Sequence, residues 1–383
     1  MADFVDDEGR IRFKGKAQDV LWNEFKNDPN QSFTPDRRWD AKDQQEFEKL
    51  PVEHIIDSPE FMGLGNHPCP LCHGAGRVDT GERMVACSDC GGSGEVKGSM
   101  FASHRQDIID LWKARKDSGV TTAIFQEGIG SGKTTKYCAI QFLMLAEVLS
   151  KVDPFTHYGL SKKGQGIAFV SMSRNESLAK EVTFLTLLPF LNSPWFRTYF
   201  PPQVDLQKIQ ETKRFPSRLR FPKRVVIFPG TGSALSAIGY NLFGGGVDEA
   251  NYLEVVDDSK KAVAGKVYDA AEAMHAAIKS RMKSRFDPSR LKREKKYPGI
   301  LVMFSNPRYA GDFTSRMEKR AKTDKTIFFR KRCTWEAHPP ERFCGEFFVF
   351  DYYNGRIIEP EDPDYHEALE IVQKDNIPWC KRT

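Results

Sequence analysis

Residues 120–135 read VTTAIFQEGIGSGKTT: an apolar run, a glycine-rich turn, and the start of a pattern typical of a helix. The apolar run has the length and the β-branched and aromatic content of a buried strand. Helical spacing of apolar residues continues from 133 to about 150. Glycines between a strand and a helix let backbone N–H groups turn toward an anion, and the helix N-terminus adds partial positive charge. This stretch therefore predicts a phosphate-binding loop, or P-loop.

The loop matches the pattern G-x-x-x-x-G-K-[ST] except at its first position, where Glu127 replaces glycine. We expect Lys133 to reach the β- and γ-phosphates of ATP, and the Thr134 hydroxyl to bind Mg²⁺. The alternative is an ordinary glycine-rich turn, which the strand before the loop and the helix after it argue against. The remaining predicted nucleotide contacts in the loop are Gly128, Gly130, Ser131, Gly132 and Thr135.

A site that hydrolyses ATP also needs one carboxylate near the metal and a second one that orients water. The predicted strand Asn241–Asp248 ends in such a pair. Asp248 is predicted to reach Mg²⁺, and Glu249 to polarise the attacking water. The three glycines at 244–246 weaken the strand, so the apolar run 253–258, which ends in two aspartates, is the alternative. The glutamate directly after Asp248 favours the first assignment.

Strands and helices are predicted to alternate along the rest of the α/β region. The predicted strands lie at 166–171, 224–228 and 299–305, and the predicted helices at 103–116, 176–188 and 266–285. Short apolar runs separated by helices indicate a mainly parallel sheet covered on both faces, and therefore an α/β fold. The strand 166–171 falls between the loop and Asp248, an arrangement typical of RecA-like (ASCE) P-loop NTPases.

Two loops at strand ends carry polar residues, and ligands of parallel sheets bind at the carboxyl ends of the strands. The first loop is 173–175 and the second is 305–307. We predict that Ser305 and Asn306 in the second loop sense the γ-phosphate; a plain turn is the alternative. Upstream of the P-loop, Gln106 is predicted to contact the adenine edge.

Four of the eight cysteines form two C-x-x-C pairs in a segment rich in glycine and turn residues. Cys69 and Cys72 make one pair, and Cys87 and Cys90 the other, a spacing typical of a closed tetrahedral Zn²⁺ site. Four protein ligands leave no open coordination position, so the Zn²⁺ is expected to be structural. Disulfides are the alternative, but the pattern of four grouped and four scattered cysteines fits a reducing compartment.

Each half of the cysteine segment reads C-x-x-C-x-G-x-G and resembles the repeat of the zinc domain in DnaJ-type chaperones. The resemblance covers residues 69–94 and implies a local fold only. Chaperone activity is not implied, because the segment has two repeats where that domain carries four, and the chain has no J-domain signature.

The chain is predicted to contain four segments and no membrane span. These are a polar, partly helical segment at 1–60, the zinc module at 61–98, the P-loop domain at 99–345, and a hairpin and helix at 346–383. The apolar runs are shorter than a spanning helix needs, and the N-terminus lacks the apolar core of a secretory signal. We therefore expect a cytoplasmic protein.

Basic residues concentrate at 213–224 and 279–296, although the net charge is only +5. Lys and Arg at such density are typical of surfaces that bind the phosphates of nucleic acids. The alternative is a solvated helix and loop. The first cluster contains Arg218, Arg220, Lys223 and Arg224.

The order of motifs over residues 100–330 resembles the ATPase domain of the large terminase subunit, the motor that packages DNA in tailed phages. In chain order, the motifs are the P-loop at 130–135, the strand that ends at Ser171, the segments 229–233, 237–239 and 247–249, and the segments 301–308 and 311–313. By this resemblance Lys133 and Thr134 take the Walker A roles. Asp248 and Glu249 take the Walker B and catalytic roles, and Ser305-Asn306 is the coupling motif.

The resemblance implies ATP-driven translocation of double-stranded DNA into a procapsid, in the cytoplasm of an infected host. The implied partners are the portal protein, the small terminase subunit and further copies of the chain in a ring. Many such subunits also carry a C-terminal nuclease, but no acidic constellation for one follows residue 330. Nuclease activity is therefore expected after residue 383 or on another chain.

The arginine that neutralises transition-state charge departs from the terminase pattern. Terminases often place it four residues before the P-loop lysine, where this chain has Ile129. We expect the arginine to come from Arg174 of the same chain or from the segment 279–296 of a neighbouring chain.

Two other functions are considered. A superfamily 2 helicase-like translocase needs a second RecA-like domain with an arginine motif, which the sequence does not show. A zinc-containing DNA-binding protein with a relic P-loop is the other alternative, and the intact Lys133, Thr134 and Glu249 argue against it.

We predict one Zn²⁺ per chain, held by Cys69, Cys72, Cys87 and Cys90. Replacement of one ligand by serine is expected to unfold residues 65–98 and to leave the P-loop domain folded, because structural zinc supplies the folding free energy of so small a module. Elemental analysis of reduced protein and limited proteolysis measure the two effects. Metal-free protein that resists proteolysis in this segment would contradict the prediction.

Overall fold

The computed structural model describes residues 38–65, 100–173, 179–203, 218–230, 240–256, 268–288, 296–338 and 356–363, with short stretches elsewhere. Its centre is a seven-stranded sheet. The strands are β1 (Thr122–Glu127), β2 (Ile167–Met172), β3 (Leu219–Phe221), β4 (Val225–Gly230), β5 (Asn241–Asp248), β6 (Leu301–Ser305) and β7 (Ile327–Arg332).

Helices cover the sheet and fill the segment before it. They are α1 (Ala41–Lys49), α2 (Val52–Asp57), α3 (Ala102–Ser118), α4 (Lys133–Ser150), α5 (Leu185–Leu191), α6 (Pro194–Tyr199), α7 (Ala270–Arg285) and α8 (Phe313–Ala321). A π-helical turn, Ala179–Phe184, precedes α5, and single helical turns lie at Pro154–His157 and Thr334–Ala337.

The strand order is β7-β1-β6-β5-β2-β4-β3, and all neighbours are parallel except the antiparallel edge pair β4–β3. The predicted α/β fold with a mainly parallel sheet is therefore confirmed. Parallel neighbours end at the same edge of a sheet, so the ends of β1, β6 and β5 lie side by side. The strand that separates β1 from β5 in space is β6, which comes later in the chain, and not the strand near 166–171.

The glycines of β5, which weakened its prediction as a strand, allow two close contacts at the centre of the sheet. A Cβ on Gly246 would lie 2.2 Å from the ring of Tyr137 on α4. A Cβ on Gly245, whose φ is +154°, would lie 2.0 Å from the carbonyl oxygen of Val170 on β2. The glycines therefore let α4 and β2 pack closely against β5, while Leu242, Phe243 and Val247 bury the apolar side chains of the strand in the core.

The N-terminal helices share a hydrophobic cluster with the sheet and its covering helices. The Phe47 ring of α1 stacks on Trp195 of α6 with centroids 5.1 Å apart. The Trp39 indole N–H donates to the carbonyl oxygen of Ser150 at 2.6 Å, at the end of α4. Arg105 on α3 makes a bidentate ion pair with Asp57. Residues 38–65 thus complete the core behind the P-loop helix.

Small antiparallel pairings lie outside the central sheet. They join Phe4–Val5 to Ile11–Arg12, His67–Pro68 to Glu95–Val96, Arg77–Asp79 to Met84–Ala86, Val255–Val256 to Tyr268–Asp269, and Phe347–Asp351 to both Arg356–Ile358 and Cys380–Lys381. The pairing of Phe347–Asp351 with Arg356–Ile358 is the predicted hairpin; its turn lies outside the described residues. Within the described part of the chain, no helix has the length and hydropathy to cross a membrane.

One buried histidine makes the stability of the fold depend on pH. His275 on α7 accepts or donates one hydrogen bond at 3.2 Å to the Thr122 hydroxyl of β1. Burial, together with the charge of Lys279, lowers the pKa of His275 to about 4, although Glu272 and Asp324 oppose the shift. The folded chain therefore excludes a proton that the unfolded chain binds below pH 6.5.

We predict that His275 removes about 2 kcal/mol of stability as the pH falls from 7.5 to 5. Because the folded-state pKa is depressed, the loss begins as the pH drops below the unfolded pKa and is complete near pH 4. His275→Gln keeps a hydrogen-bonding group but cannot titrate. Denaturant titrations at both pH values should show a smaller decrease in the variant; equal decreases would contradict the prediction.

Candidate functional site

The P-loop connects the end of β1 to the start of α4. Gly130 and Gly132 have φ values of 73° and 88°, the left-handed region that glycine adopts without strain. Gly132 is the N-cap residue directly before α4, so the N–H groups of the first turn of α4 point toward the loop. Thr134 and Thr135 lie half-buried in that turn. The local geometry is that of an anion site at a helix N-terminus.

Lys133 lies between the residue that follows β5 and the loop that follows β6. Its ammonium group donates to Asn306 Oδ1 at 2.7 Å and lies 3.6 Å from Glu249 Oε1. Asn306 follows β6, Glu249 follows β5, and Lys133 begins the helix that follows β1. The strand order thus brings together three residues that are far apart in the chain.

Asp248 is the last residue of β5, and its side chain is buried. Burial and the charge of Glu249 raise the pKa of Asp248 to about 6, and Lys133 acts in the opposite direction. The Oδ1 atom has no hydrogen-bond partner among the described residues. A buried carboxylate oxygen without a partner is unfavourable unless a cation satisfies it. Asp248 and the hydroxyl of Thr134 therefore fit the oxygen ligands that Mg²⁺ prefers.

Glu249 adopts a backbone conformation that is unfavourable for a residue with a side chain. Its φ and ψ are 53° and 45°, in the left-handed region. The conformation turns the chain sharply after β5, and the carboxylate lies beside Lys133 and 3.5 Å from the Ser305 hydroxyl. Strain of this kind is retained where the surrounding structure requires a side chain in one position.

Asn251 is the main residue that the sequence analysis missed. Its side-chain amide donates to the carbonyl oxygen of Asn306 at 2.7 Å, to Asp312 Oδ2 at 2.9 Å and to the Thr314 hydroxyl at 2.8 Å. Its backbone N–H donates to the Ser305 hydroxyl at 3.1 Å. The buried Asn251 therefore joins the turn after β5 to the loop after β6 and to the start of α8. The only sequence signal was a polar residue two positions after Glu249.

The first position of the P-loop is buried and charged. Glu127 is fully buried, accepts a hydrogen bond from the Ser131 hydroxyl at 3.0 Å and contacts the ammonium group of Lys136. Burial opposes ionisation of Glu127, but hydrogen bonding to His104 and the charge of Lys136 outweigh it and lower its pKa to about 2. The Ser131 side chain consequently points into the protein, so only its backbone faces the position predicted for the nucleotide.

The outer side of the P-loop is contacted by residues after β7 and before α3. The ring of His338 hydrogen-bonds to the carbonyl oxygen of Gly130 at 3.0 Å and packs edge-on against Phe101 with centroids 4.5 Å apart. Gln106 instead lies on the exposed side of α3, where its amide donates to Asp110 at 2.8 Å. Aromatic surface next to the loop thus comes from Phe101 and His338, neither of which was predicted from the sequence.

Comparison with known proteins agrees with this geometry. The sequence model of one family, described as "Uncharacterized protein MJ0330, N-terminal P-loop domain", matches residues 104–355. That match covers more than half of the chain. The chain belongs to this P-loop family.

Two solved structures of phage proteins are similar to this chain at low sequence identity. The large terminase of bacteriophage HK97 is 14% identical with a TM-score of 0.37, over 62% of this chain and 40% of that one. The large terminase of the thermophilic bacteriophage D6E is 9% identical with a TM-score of 0.32, over 61% of this chain and 45% of that one. The chain thus spans less than half the length of either terminase. No curated protein matches it.

Two cations of the first basic cluster have structural partners in the P-loop domain. The Lys223 ammonium donates to the carbonyl oxygens of Leu149 and Lys151, at 2.6 and 2.7 Å, at the end of α4. Burial lowers its pKa to about 7. Arg224 donates to the carbonyl oxygens of Lys162 and Gly164. These contacts favour structural roles for Lys223 and Arg224, whose side chains bind backbone carbonyl groups, and phosphate contacts at the two residues stay a prediction.

Several predicted site residues lie outside the described part of the chain. They are Arg174, the rival carboxylates Asp257 and Asp258, and the cysteines Cys69, Cys72 and Cys90. Cys87 is described and buried. Among the described residues no group of three or more potential ligands could hold a metal ion, so the zinc module stays a prediction.

The strain at Glu249 predicts that removing its Cβ stabilises the P-loop domain. Glu249→Gly and Glu249→Ala both remove the carboxylate, but only glycine relieves the left-handed backbone. We expect the free energy of unfolding of Glu249→Gly to be about 1 kcal/mol higher than that of Glu249→Ala. Denaturant titration of both variants measures the difference. Equal stabilities would show that position 249 is not strained.

Proposed function

We propose that the chain binds Mg-ATP at the P-loop and hydrolyses it. The observation that carries this proposal is the contact of Lys133 with both Asn306 and Glu249, beside the unpartnered oxygen of buried Asp248. A lysine, a metal-binding carboxylate and a water-orienting carboxylate are the parts that phosphoryl transfer needs. The low exposure of these side chains strengthens their electrostatic effect on a bound phosphate.

Each residue has one role in the proposed reaction. The N–H groups of 130–133 bind the phosphate oxygens, and Lys133 leaves Asn306 to contact the β- and γ-phosphates. Bound Mg²⁺, held by Asp248 and Thr134, would neutralise charge on the phosphate oxygens. Glu249 accepts a hydrogen bond from the attacking water and orients it toward phosphorus. Contacts from Ser305 and Asn306 register whether the γ-phosphate is present.

Asn251 connects the nucleotide site to the start of α8 and could transmit a change between them. When Lys133 turns toward the nucleotide it releases Asn306, whose carbonyl oxygen is bonded to Asn251. Asn251 is bonded in turn to Asp312 and Thr314 at the start of α8. A change at the γ-phosphate is thereby proposed to shift α8 against the sheet. This coupling passes through contiguous buried hydrogen bonds.

We further propose that the hydrolysis drives double-stranded DNA into a procapsid, as the motor of a phage packaging complex. The order of the motifs from 130–135 to 311–313 supports this function. Because α7 returns from the Asp248 edge to the opposite edge of the sheet, its basic end lies away from the nucleotide. Lys283 and Arg285 are exposed there and are available to DNA phosphates or to a neighbouring subunit. Portal protein, small terminase subunit and further copies of the chain are the proposed partners.

The arginine finger is proposed to come from another copy of the chain. Ile129, at the position where terminases often carry the arginine, is 77% exposed at the nucleotide edge. The basic end of α7 lies at the edge of the sheet opposite the nucleotide, so it cannot reach the site of its own chain. It is therefore one candidate for the arginine that enters the site of a neighbouring chain. Arg308 is a second candidate, because it is exposed two residues after Asn306, with its guanidinium over the ring of Tyr252.

We also propose that residues 61–98 form a zinc module and that Gln106 contacts the adenine. The pairing of Pro68 with Glu95 and of Arg77 with Ala86 places the chain flanking the two C-x-x-C pairs side by side, which supports a shared Zn²⁺ site. For the adenine, Gln106 would have to leave Asp110; the Phe101 ring offers a stacking surface nearer the loop.

We predict that Glu249→Gln binds ATP with unchanged affinity and turns it over roughly 10²–10⁴-fold more slowly, because only the water-orienting carboxylate is lost. Lys133→Ala should weaken binding as well. Phosphate release and binding of a fluorescent ATP analogue measure both effects, with and without linear double-stranded DNA. Asp257→Asn and Asp258→Asn are controls for the rival assignment. If either abolishes turnover while Glu249→Gln does not, the assignment of Asp248 and Glu249 is wrong.

A further inference from the structure

A set of ionisable side chains lies beneath the P-loop and has no role in the proposed reaction. We call it the buried ion cluster; it consists of His104, Asp107, Glu127, Lys136 and Arg332. Glu127, Asp107 and Lys136 are each at most 1% exposed. Buried charges are stable only when they are paired and hydrogen-bonded, so the arrangement of the cluster is strongly constrained.

The cluster contains two carboxylates and two cations. Lys136 contacts Glu127 and donates to Asp107 Oδ2 at 2.7 Å, so it bridges the two carboxylates. Arg332 donates to both oxygens of Asp107, at 2.8 and 2.5 Å. Burial lowers the pKa of His104, whose Nε2 lies 3.4 Å from Glu127, and keeps its ring neutral. Arg330 also contacts Asp107, with its Nε 3.1 Å from Oδ1, and pairs with Asp110 at 2.7 Å. Glu127 supplies one of the two buried negative charges that hold Lys136.

Glu127 is the member that touches the loop. Its Oε1 atom contacts Lys136, and its Oε2 atom accepts the hydrogen bond from the Ser131 hydroxyl at 3.0 Å. Lys136 lies one helical turn after Lys133, yet it points inward while Lys133 points to the nucleotide edge. The carboxylate thus fixes Ser131, in the middle of the loop, to the first turn of α4.

A glycine at position 127, which the P-loop pattern predicts, could not make either contact. Lys136 would lose one of its two carboxylates, and the buried Ser131 hydroxyl would lose its acceptor. The chain instead uses a hydrogen bond to an ionised group, which is stronger than one between neutral groups. Ser131 lies between two glycines with left-handed backbone, and a loop of this kind is flexible when nothing holds it. An anchor at Ser131 therefore limits the conformations that the loop can adopt.

We propose that Glu127 is a positioning residue for the nucleotide: through Ser131 it holds the P-loop in the conformation that directs the N–H groups of residues 130–133 toward the phosphates. The inference rests on the proposed binding of ATP and deepens it. Preorganisation of a loop acts on affinity more than on the chemical step. Glu127 therefore controls the dissociation constant and KM for Mg-ATP, and leaves kcat to Glu249 and Asp248.

The test is a double-mutant cycle on the full chain with Glu127→Gln, Ser131→Ala and the double variant. Ser131→Ala removes only the anchored hydroxyl and leaves every ion pair in place. Each single variant is expected to weaken binding of a fluorescent ATP analogue with Mg²⁺ at least about tenfold, the loss typical of one hydrogen bond to a charged group. The double variant should be no weaker than Glu127→Gln, because both changes break one contact. We expect kcat to change less than about threefold.

Glu147→Gln is the matched control. Glu147 pairs with Arg115 at 2.5 and 2.6 Å and also joins α3 to α4, but at the far end of α4 from the loop. It should lower the Tm and leave the affinity for the analogue unchanged. A melting curve of each variant separates loss of folding from loss of positioning. If Glu127→Gln does not fold, Ser131→Ala still decides the question.

The outcomes separate this inference from the proposed function. A wild-type chain that does not bind the analogue overturns both. Wild-type binding with an unchanged dissociation constant in Ser131→Ala overturns the positioning role alone. Additive effects in the double variant, or a loss of affinity in Glu147→Gln as large as in Glu127→Gln, also overturn it, because the ion cluster would then act only through general stability.

Discussion

The close packing of α4 on β5 is the constraint on which the rest of the structure depends. The Tyr137 ring occupies the space where a side chain on Gly246 would lie, and its hydroxyl is 2.9 Å from the Ser171 hydroxyl on β2. The helix that begins with Lys133 is thereby held directly over the strand that ends with Asp248. With β6 between β1 and β5, the three loops that carry Lys133, Glu249 and Asn306 meet at one edge. A bulkier residue at 246 would separate the P-loop from its carboxylates.

The site is held from two sides by buried polar groups. On the outer side, Asn251 links the ends of β5 and β6 to the start of α8. On the inner side, Glu127 and Lys136 anchor the loop itself. Buried hydrogen bonds to such groups are costly to break singly, since each leaves a partner unsatisfied. They therefore favour a small number of well-defined arrangements of the three loops.

Local patterns in the sequence predicted most of the fold. The helix that begins at Lys133 and the strand Asn241–Asp248 were predicted with the bounds that the structure has. Both depend on signals within a few residues: glycines before a helix, and an apolar strand before an acidic pair. The three glycines of β5 argued against a strand, because the contacts that require glycine there are made by Ile300, Val170 and Tyr137, which are distant in the sequence. A single sequence holds no record of such a contact.

The same limit applies to the candidate site. Glu127 was recognised as a departure from the P-loop pattern, but its partner Lys136 also binds Asp107 on α3, which in turn pairs with Arg332 on β7. The basic residues 223 and 224 looked like a nucleic-acid surface because composition cannot tell an exposed cation from one that caps backbone carbonyl groups. Asn251 was missed for a related reason: an asparagine in a turn is common, and only the fold places four hydrogen-bonding partners around it.

We infer that Asp248, at the convergence of β1, β6 and β5, holds the divalent cation of a bound nucleotide. Electron paramagnetic resonance with Mn²⁺ in place of Mg²⁺ tests this most directly, by counting bound ions with and without a non-hydrolysable ATP analogue. We predict one nucleotide-dependent Mn²⁺ per wild-type chain and its loss in Asp248→Asn. Nucleotide-dependent Mn²⁺ that binds equally well in Asp248→Asn would contradict it.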